Sequence, residues 1–121
     1  MKFISAMNLS GLPIGIFDSG IGGLTVLKEL MNLIPDENMV YLGDTARVPY
    51  VIRSPETIVK HSTSNVNFLL KHNVKMIVIG CNTASAVATD ITKNNFDLPI
   101  IDVVIPGLSG QLIVRKISVS F

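Results

Sequence analysis

Four short apolar runs, separated by stretches in which apolar residues recur at helical spacing, set the plan of the chain. Ile14-Gly15-Ile16-Phe17, Met39-Val40-Tyr41-Leu42, Met76-Ile77-Val78-Ile79 and Ile100 to Ile105 are rich in β-branched or aromatic side chains. Runs this short and continuous predict buried strands of a parallel sheet. Leu24, Leu27, Leu30, Met31 and Ile34 predict a first helix that stops before Pro35, because the residue ahead of a proline is pushed out of helical conformation. Ser54-Pro55-Glu56 predicts the start of a second: a capping serine, a proline in the first turn and an acid against the helix dipole. Its inner face is Ile58, Ser62, Val66, Leu69 and Leu70, and it ends near Asn73. A third runs from about Asn82 to Asn94, built on Ala84, Ala86, Val87, Ala88 and Ile91, with Asn82 or Thr83 as its cap.

The order β-α-β-α-β-α-β predicts an α/β fold, and right-handed crossovers make a flavodoxin-like doubly wound parallel sheet the most economical topology. A fifth βα unit would complete it. Only Leu108 to Phe121 remain, apolar with Arg115 and Lys116 and without a clear cap or turn, so the sheet is expected to be incomplete at its C-terminal end. Residues 1–13, with Asn8, Ser10, Gly11 and Pro13 as turn formers, read as a leader, 14–107 as a first α/β domain and 108–121 as an unmatched tail.

With 121 residues, 48% of them hydrophobic, and mean hydropathy +0.50, the chain can build one globular core. Ten basic and nine acidic residues are scattered without blocks, which leaves no electrostatic footprint for nucleic acid or a membrane surface. No apolar run is long enough to cross a membrane, and the opening residues make a poor signal peptide. The single cysteine cannot form an internal disulfide and fits a reducing compartment, so a cytoplasmic location is expected. No pair of histidines or carboxylates has metal-ligand spacing, and His61 and His72 read as solvated.

The chemistry gathers in three loops at the carboxyl ends of the first three strands, where ligands bind in open α/β sheets. They offer Asp18 and Ser19, then Pro49 and Tyr50, then Cys81, Asn82 and Thr83. Cys81 follows the third strand through Gly80 and meets the positive end of a helix, a place that favours a thiolate. Each residue also has a plainer reading. Cys81 fills a strand–helix corner as a small hydrophobe. Asp18 and Ser19 cap the first helix, and Asn82 and Thr83 the third. Tyr50 packs, and Asp44 with Arg47 forms a surface pair. Gly20-Ile21-Gly22-Gly23-Leu24-Thr25 fits neither the dinucleotide fingerprint nor a phosphate loop. Taken together, a thiol beside a carboxylate among hydroxyl and amide donors suits holding an amino acid by its charged ends. The thiol would act as a base on carbon while the donors stabilise the carbanion.

Ile14-Gly15-Ile16-Phe17-Asp18-Ser19-Gly20-Ile21-Gly22-Gly23-Leu24-Thr25-Val26-Leu27 resembles the opening of bacterial glutamate racemases. Tyr41 to Tyr50, Ser54-Pro55-Glu56-Thr57 and Cys81-Asn82-Thr83-Ala84-Ser85 resemble further motifs of that family, in the same order. The match covers about residues 14 to 107 and reaches only the first half of the family. The resemblance implies interconversion of L- and D-glutamate for peptidoglycan, without pyridoxal phosphate, metal or other cofactor, by two cysteines on opposite faces of the substrate carbon. It makes Cys81 the first of these and Asp18 the carboxylate that assists it. Ser19, Pro49, Tyr50, Val51, Asn82 and Thr83 become the substrate-binding set, and glutamate the small-molecule partner.

The departures bear on activity. The family's second cysteine, in a Gly-Cys-Thr-His motif, has no counterpart here. Val51 stands where the family has a glycine whose amide contacts substrate, and a β-branched side chain there restricts the backbone. Ile105 stands where a glutamate is usual, and beyond Gly110 no match is found. In the family the first domain is completed by the last part of the chain. One cysteine serves one face, so the chain alone is expected to be inactive or nearly so. A homodimer would supply a second Cys81 only across a two-fold axis that the family's own arrangement gives no reason to expect. The alternatives are an amino-acid-binding half-site without turnover, or a racemase remnant that acts, if at all, by association through an exposed strand edge.

Overall fold

Each predicted strand forms, with its ends moved by a residue at most. The computed structural model describes residues 11–18, 23–44, 52–104 and 113–118. Its strands are β1 (Ile14–Asp18), β2 (Met39–Gly43), β3 (Met76–Ile79), β4 (Ile100–Val104) and β5 (Ile113–Ser118). Its helices are α1 (Gly23–Leu33), α2 (Pro55–Leu70) and α3 (Asn82–Asn95). One sheet runs in the order β2-β1-β3-β4-β5. The first four strands are parallel, with Phe17 level with Leu42 on one side and Ile79 on the other.

That is the flavodoxin-like order, with one difference. β5 pairs with β4 antiparallel, Ile101 opposite Ile117, with a register shift between Asp102 and Val103. The tail beyond residue 107 therefore adds a strand to the sheet rather than standing apart from it. The direction follows from length: residues 105–112 are too few for the crossover that a parallel return requires.

Strand alternation sends Ile14 and Ile16 to a face covered by α1, where they pack with Val26, Val78, Leu27 and Leu30. Phe17, Ile77, Ile79 and Ile100 line the opposite face beneath α2 and α3, with Ile58, Val66, Leu69 and Ala84. The helix faces differ in detail from the apolar pattern. Val26 is fully buried in α1 while Met31 is 55% exposed. In α2 the polar Asn65 is buried and Leu70 only half-buried. In α3 the inner residues are Ala84, Ser85, Ala88, Thr89 and Thr92, while Ala86 and Ile91 face outward. Burial of those hydroxyls is tolerated because each has a carbonyl partner: Thr89 Oγ1 donates to the Ser85 carbonyl at 2.8 Å and Thr92 Oγ1 to that of Ala88 at 2.9 Å within the helix, and Ser85 Oγ to that of Ile79 in β3 at 3.4 Å.

α2 begins as its sequence predicts, with Ser54 as cap, its Oγ accepting from the Thr57 amide at 3.2 Å, and Pro55 in the first turn. It ends at Leu70 with Lys71 as C-cap, short of the expected end near Asn73. Asn73 lies in the following turn with a left-handed φ of 56°, a conformation asparagine accepts more readily than most residues. Among the described residues no helix is long and apolar enough to cross a membrane.

Candidate functional site

From β1 the chain passes to β2 on one side and then to β3 on the other, so the connections diverge at the carboxyl ends of β1 and β3. Such a switch point is where an open α/β sheet forms its binding crevice. Asp18 is the last residue of β1, and Gly80 and Cys81 follow β3. The Gly80 amide donates to the Phe17 carbonyl at 2.8 Å, tying the turn after β3 to the end of β1.

Asp18 is fully buried. Its place at the end of a strand, rather than at the start of α1, sets aside the capping role considered for it. Alternation puts Asp18 on the α1 face with Ile14 and Ile16, and Tyr41 of β2 packs on the same face. There the Tyr41 hydroxyl donates to Asp18 Oδ1 at 2.8 Å. Burial, then the hydrogen bond to Asp18, then the carboxylate's negative charge push the Tyr41 hydroxyl well above the ordinary tyrosine pKa. The Asp18 carbonyl in turn accepts from the Asp44 amide at 2.9 Å.

Cys81 is the N-cap of α3, with extended backbone at φ −114° and ψ 125°, and its side chain makes no capping hydrogen bond. This corrects the expectation that Asn82 or Thr83 caps the helix. The chain leaves β3 still extended at Cys81, so the helical turn begins one residue later and Asn82 and Thr83 form its first turn. Cys81 is a free thiol, 6% exposed, and joins the cluster under α2 and α3. Its carbonyl accepts from the Ser85 amide at 2.8 Å. The thiol is thus both the buried corner residue of the plainer reading and a group seated at the open amides of a helix start.

Asp44, expected on the surface, is buried at 7% exposure, because Asn65 of α2 donates from Nδ2 to its Oδ2 at 3.2 Å. Tyr41 and Asn65 are the site residues that sequence reasoning passed over. Period-two alternation, which places Tyr41 and Asp18 on one face of adjoining strands, was the signal for the first. Ser19, Pro49, Tyr50, Val51, Arg47 and Ile105 lie outside the described residues. Among those described, no group of three or more His, Cys, Asp or Glu gathers as a metal site.

No protein-family model matches the chain. Among curated proteins, the glutamate racemase of Lactococcus lactis subsp. cremoris (strain MG1363) is 53% identical over 100 residues, which is 83% of this chain and 37% of that one. This chain is homologous to the glutamate racemases. The glutamate racemase of Streptococcus suis (strain 05ZYH33) is 51% identical over the same share of this chain and 38% of its own. Among solved structures, the glutamate racemase of Thermus thermophilus, in complex with β-chloro-D-alanine, matches with TM-score 0.75 at 45% identity, over 80% of this chain and 38% of that one. The glutamate racemase of Francisella tularensis, in complex with D-glutamate, matches with TM-score 0.73 at 48% identity, over 78% and 36%. The chain spans about 37% of the length of the curated racemases it matches.

Proposed function

We propose that this chain carries one face of a cofactor-independent glutamate racemase site. The observation that supports it is that Asp18 closes β1 and Cys81 follows β3, two adjacent parallel strands whose ends are tied by the Gly80 amide to the Phe17 carbonyl. Cys81, as the thiolate, takes the α-proton of glutamate, and the electron pair left on carbon is drawn into the α-carboxylate. Asp18 assists by accepting the thiol proton beforehand. The open amides at the start of α3, with Asn82 and Thr83, hold the carboxylate whose charge grows during the step. Ser19, Pro49, Tyr50 and Val51 complete the grip on the substrate.

Return of the proton from the same sulfur exchanges hydrogen and keeps handedness. Inversion needs an acid on the opposite face, and the chain holds one cysteine. The test is glutamate in D2O with the 121-residue chain and Cys81→Ala beside it. The α-hydrogen signal is followed by proton NMR and handedness by circular dichroism. We expect deuteration that requires Cys81, with handedness retained. Equal deuteration in Cys81→Ala would refute the assignment of Cys81. Saturable binding without exchange in either protein would replace it with a binding half-site.

A further inference from the structure

Tyr41 has no part in the proton-transfer reading, yet its hydroxyl donates a 2.8 Å hydrogen bond to Asp18 Oδ1. The donor comes from β2, the strand adjoining β1, and the acceptor is fully buried. Gly43, two residues on and on the same face, keeps room for the phenol. A Cβ built there would lie 3.2 Å from Tyr41 Oη and 3.4 Å from Cε1, closer than those atoms tolerate without moving. We propose that Tyr41 is the positioning residue for Asp18, with Gly43 as the gap that seats it: the phenol holds the carboxylate in one orientation at the end of β1. This rests on the reading of Asp18 as the group that assists Cys81.

The physical reason is that a buried carboxylate is held best by a donor that stays protonated. The Tyr41 hydroxyl is such a donor, since burial and Asp18 itself oppose its ionisation. Among the described residues, Asp44 meets Asp18 through the backbone, and α1 packs on this face through Val26, Leu27 and Leu30, with Lys28 exposed.

The chain has two tyrosines, so ring-carbon-labelled tyrosine gives two NMR titrations, assigned with Tyr41→Phe. In the parent chain we expect Tyr41 to resist ionisation well beyond the ordinary value of about 10, and Asp18→Asn to bring it back toward that value. Gly43→Ala, which leaves every ionisable group in place, should move it in the same direction by less. A Tyr41 titration unchanged by Asp18→Asn overturns the proposal. In the glutamate exchange assay, Tyr41→Phe should lower the rate about tenfold or more with glutamate affinity kept, the loss expected of a hydrogen bond to a charged group. An unchanged rate overturns the proposal as well. If the parent chain shows no exchange, the racemase reading fails, and the Asp18→Asn titration still decides whether Tyr41 holds Asp18.

Discussion

Asn65→Leu tests whether the polar contact beneath the site holds the strand ends in place. Asn65 is 2% and Asp44 7% exposed, and the amide donates to the carboxylate across 21 residues of sequence. Asp44 also donates its own amide to the Asp18 carbonyl, so α2 is linked through Asp44 to the end of β1. Leucine keeps the branched outline and heavy-atom count of asparagine, though it is bulkier, and deletes the donor, which leaves the buried carboxylate one hydrogen bond short. Hydrogen bonds to charged groups contribute about 1.5–3 kcal/mol, more than neutral ones. With a urea slope of about 2 kcal/mol per molar for a domain of this size, the unfolding midpoint should fall by about 1 M with the slope unchanged. Asp44→Ala and the double variant close a cycle, and the two losses should not add, since either change removes the same bond. A midpoint for Asn65→Leu within about 0.2 M of the parent would refute the reasoning, because a bond between groups this buried cannot be replaced by water at no loss.

Two further outcomes follow from the packing and the charges. Gly15→Ala sets a methyl 3.1 Å from Val74 Cγ1 and 3.2 Å from Leu69 Cδ1, both in buried residues. Such overpacking typically destabilises by about 1–3 kcal/mol, which a lower thermal midpoint in a circular dichroism melt would register. Tyr41 ionises less readily in the folded chain than in the unfolded one. The stability it contributes is therefore whole below its unfolded pKa of about 10 and lost as pH climbs beyond it, and denaturation series at rising alkaline pH should show a decline that Tyr41→Phe lacks.

Much of the framework was readable from local pattern. The four parallel strands announce themselves as short runs such as Met76 to Ile79, because a strand buried on both faces has no polar alternation to dilute the signal. Ser54 and Pro55 start α2 by contacts within one turn, which is why the signal survives without any tertiary information. Asp18 and Cys81 were also within reach, since the strand–turn–helix order alone sends both to one end of the sheet.

What lay beyond the sequence is what depends on distant partners. β5 carries Arg115 and Lys116 and reads as no particular element; it becomes a strand only because β4 offers a free edge and the intervening residues are too few to cross over. The buried face of α3 includes Ser85, Thr89 and Thr92, whose hydroxyls are satisfied by the Ile79 carbonyl of β3 for the first and by their own helix for the other two, so hydrophobicity pointed at Ile91 while packing turned it outward. Asp44 and Tyr41 take their meaning from Asn65 and Asp18, each more than twenty residues away. Sequence by itself determined the order of elements and which loops share the carboxyl edge, because those follow from periodicity and turn chemistry within a few residues. Only the tertiary structure decided which polar groups are buried and who holds them, because a buried carboxylate is permitted by a donor on another element, and no local pattern encodes that donor.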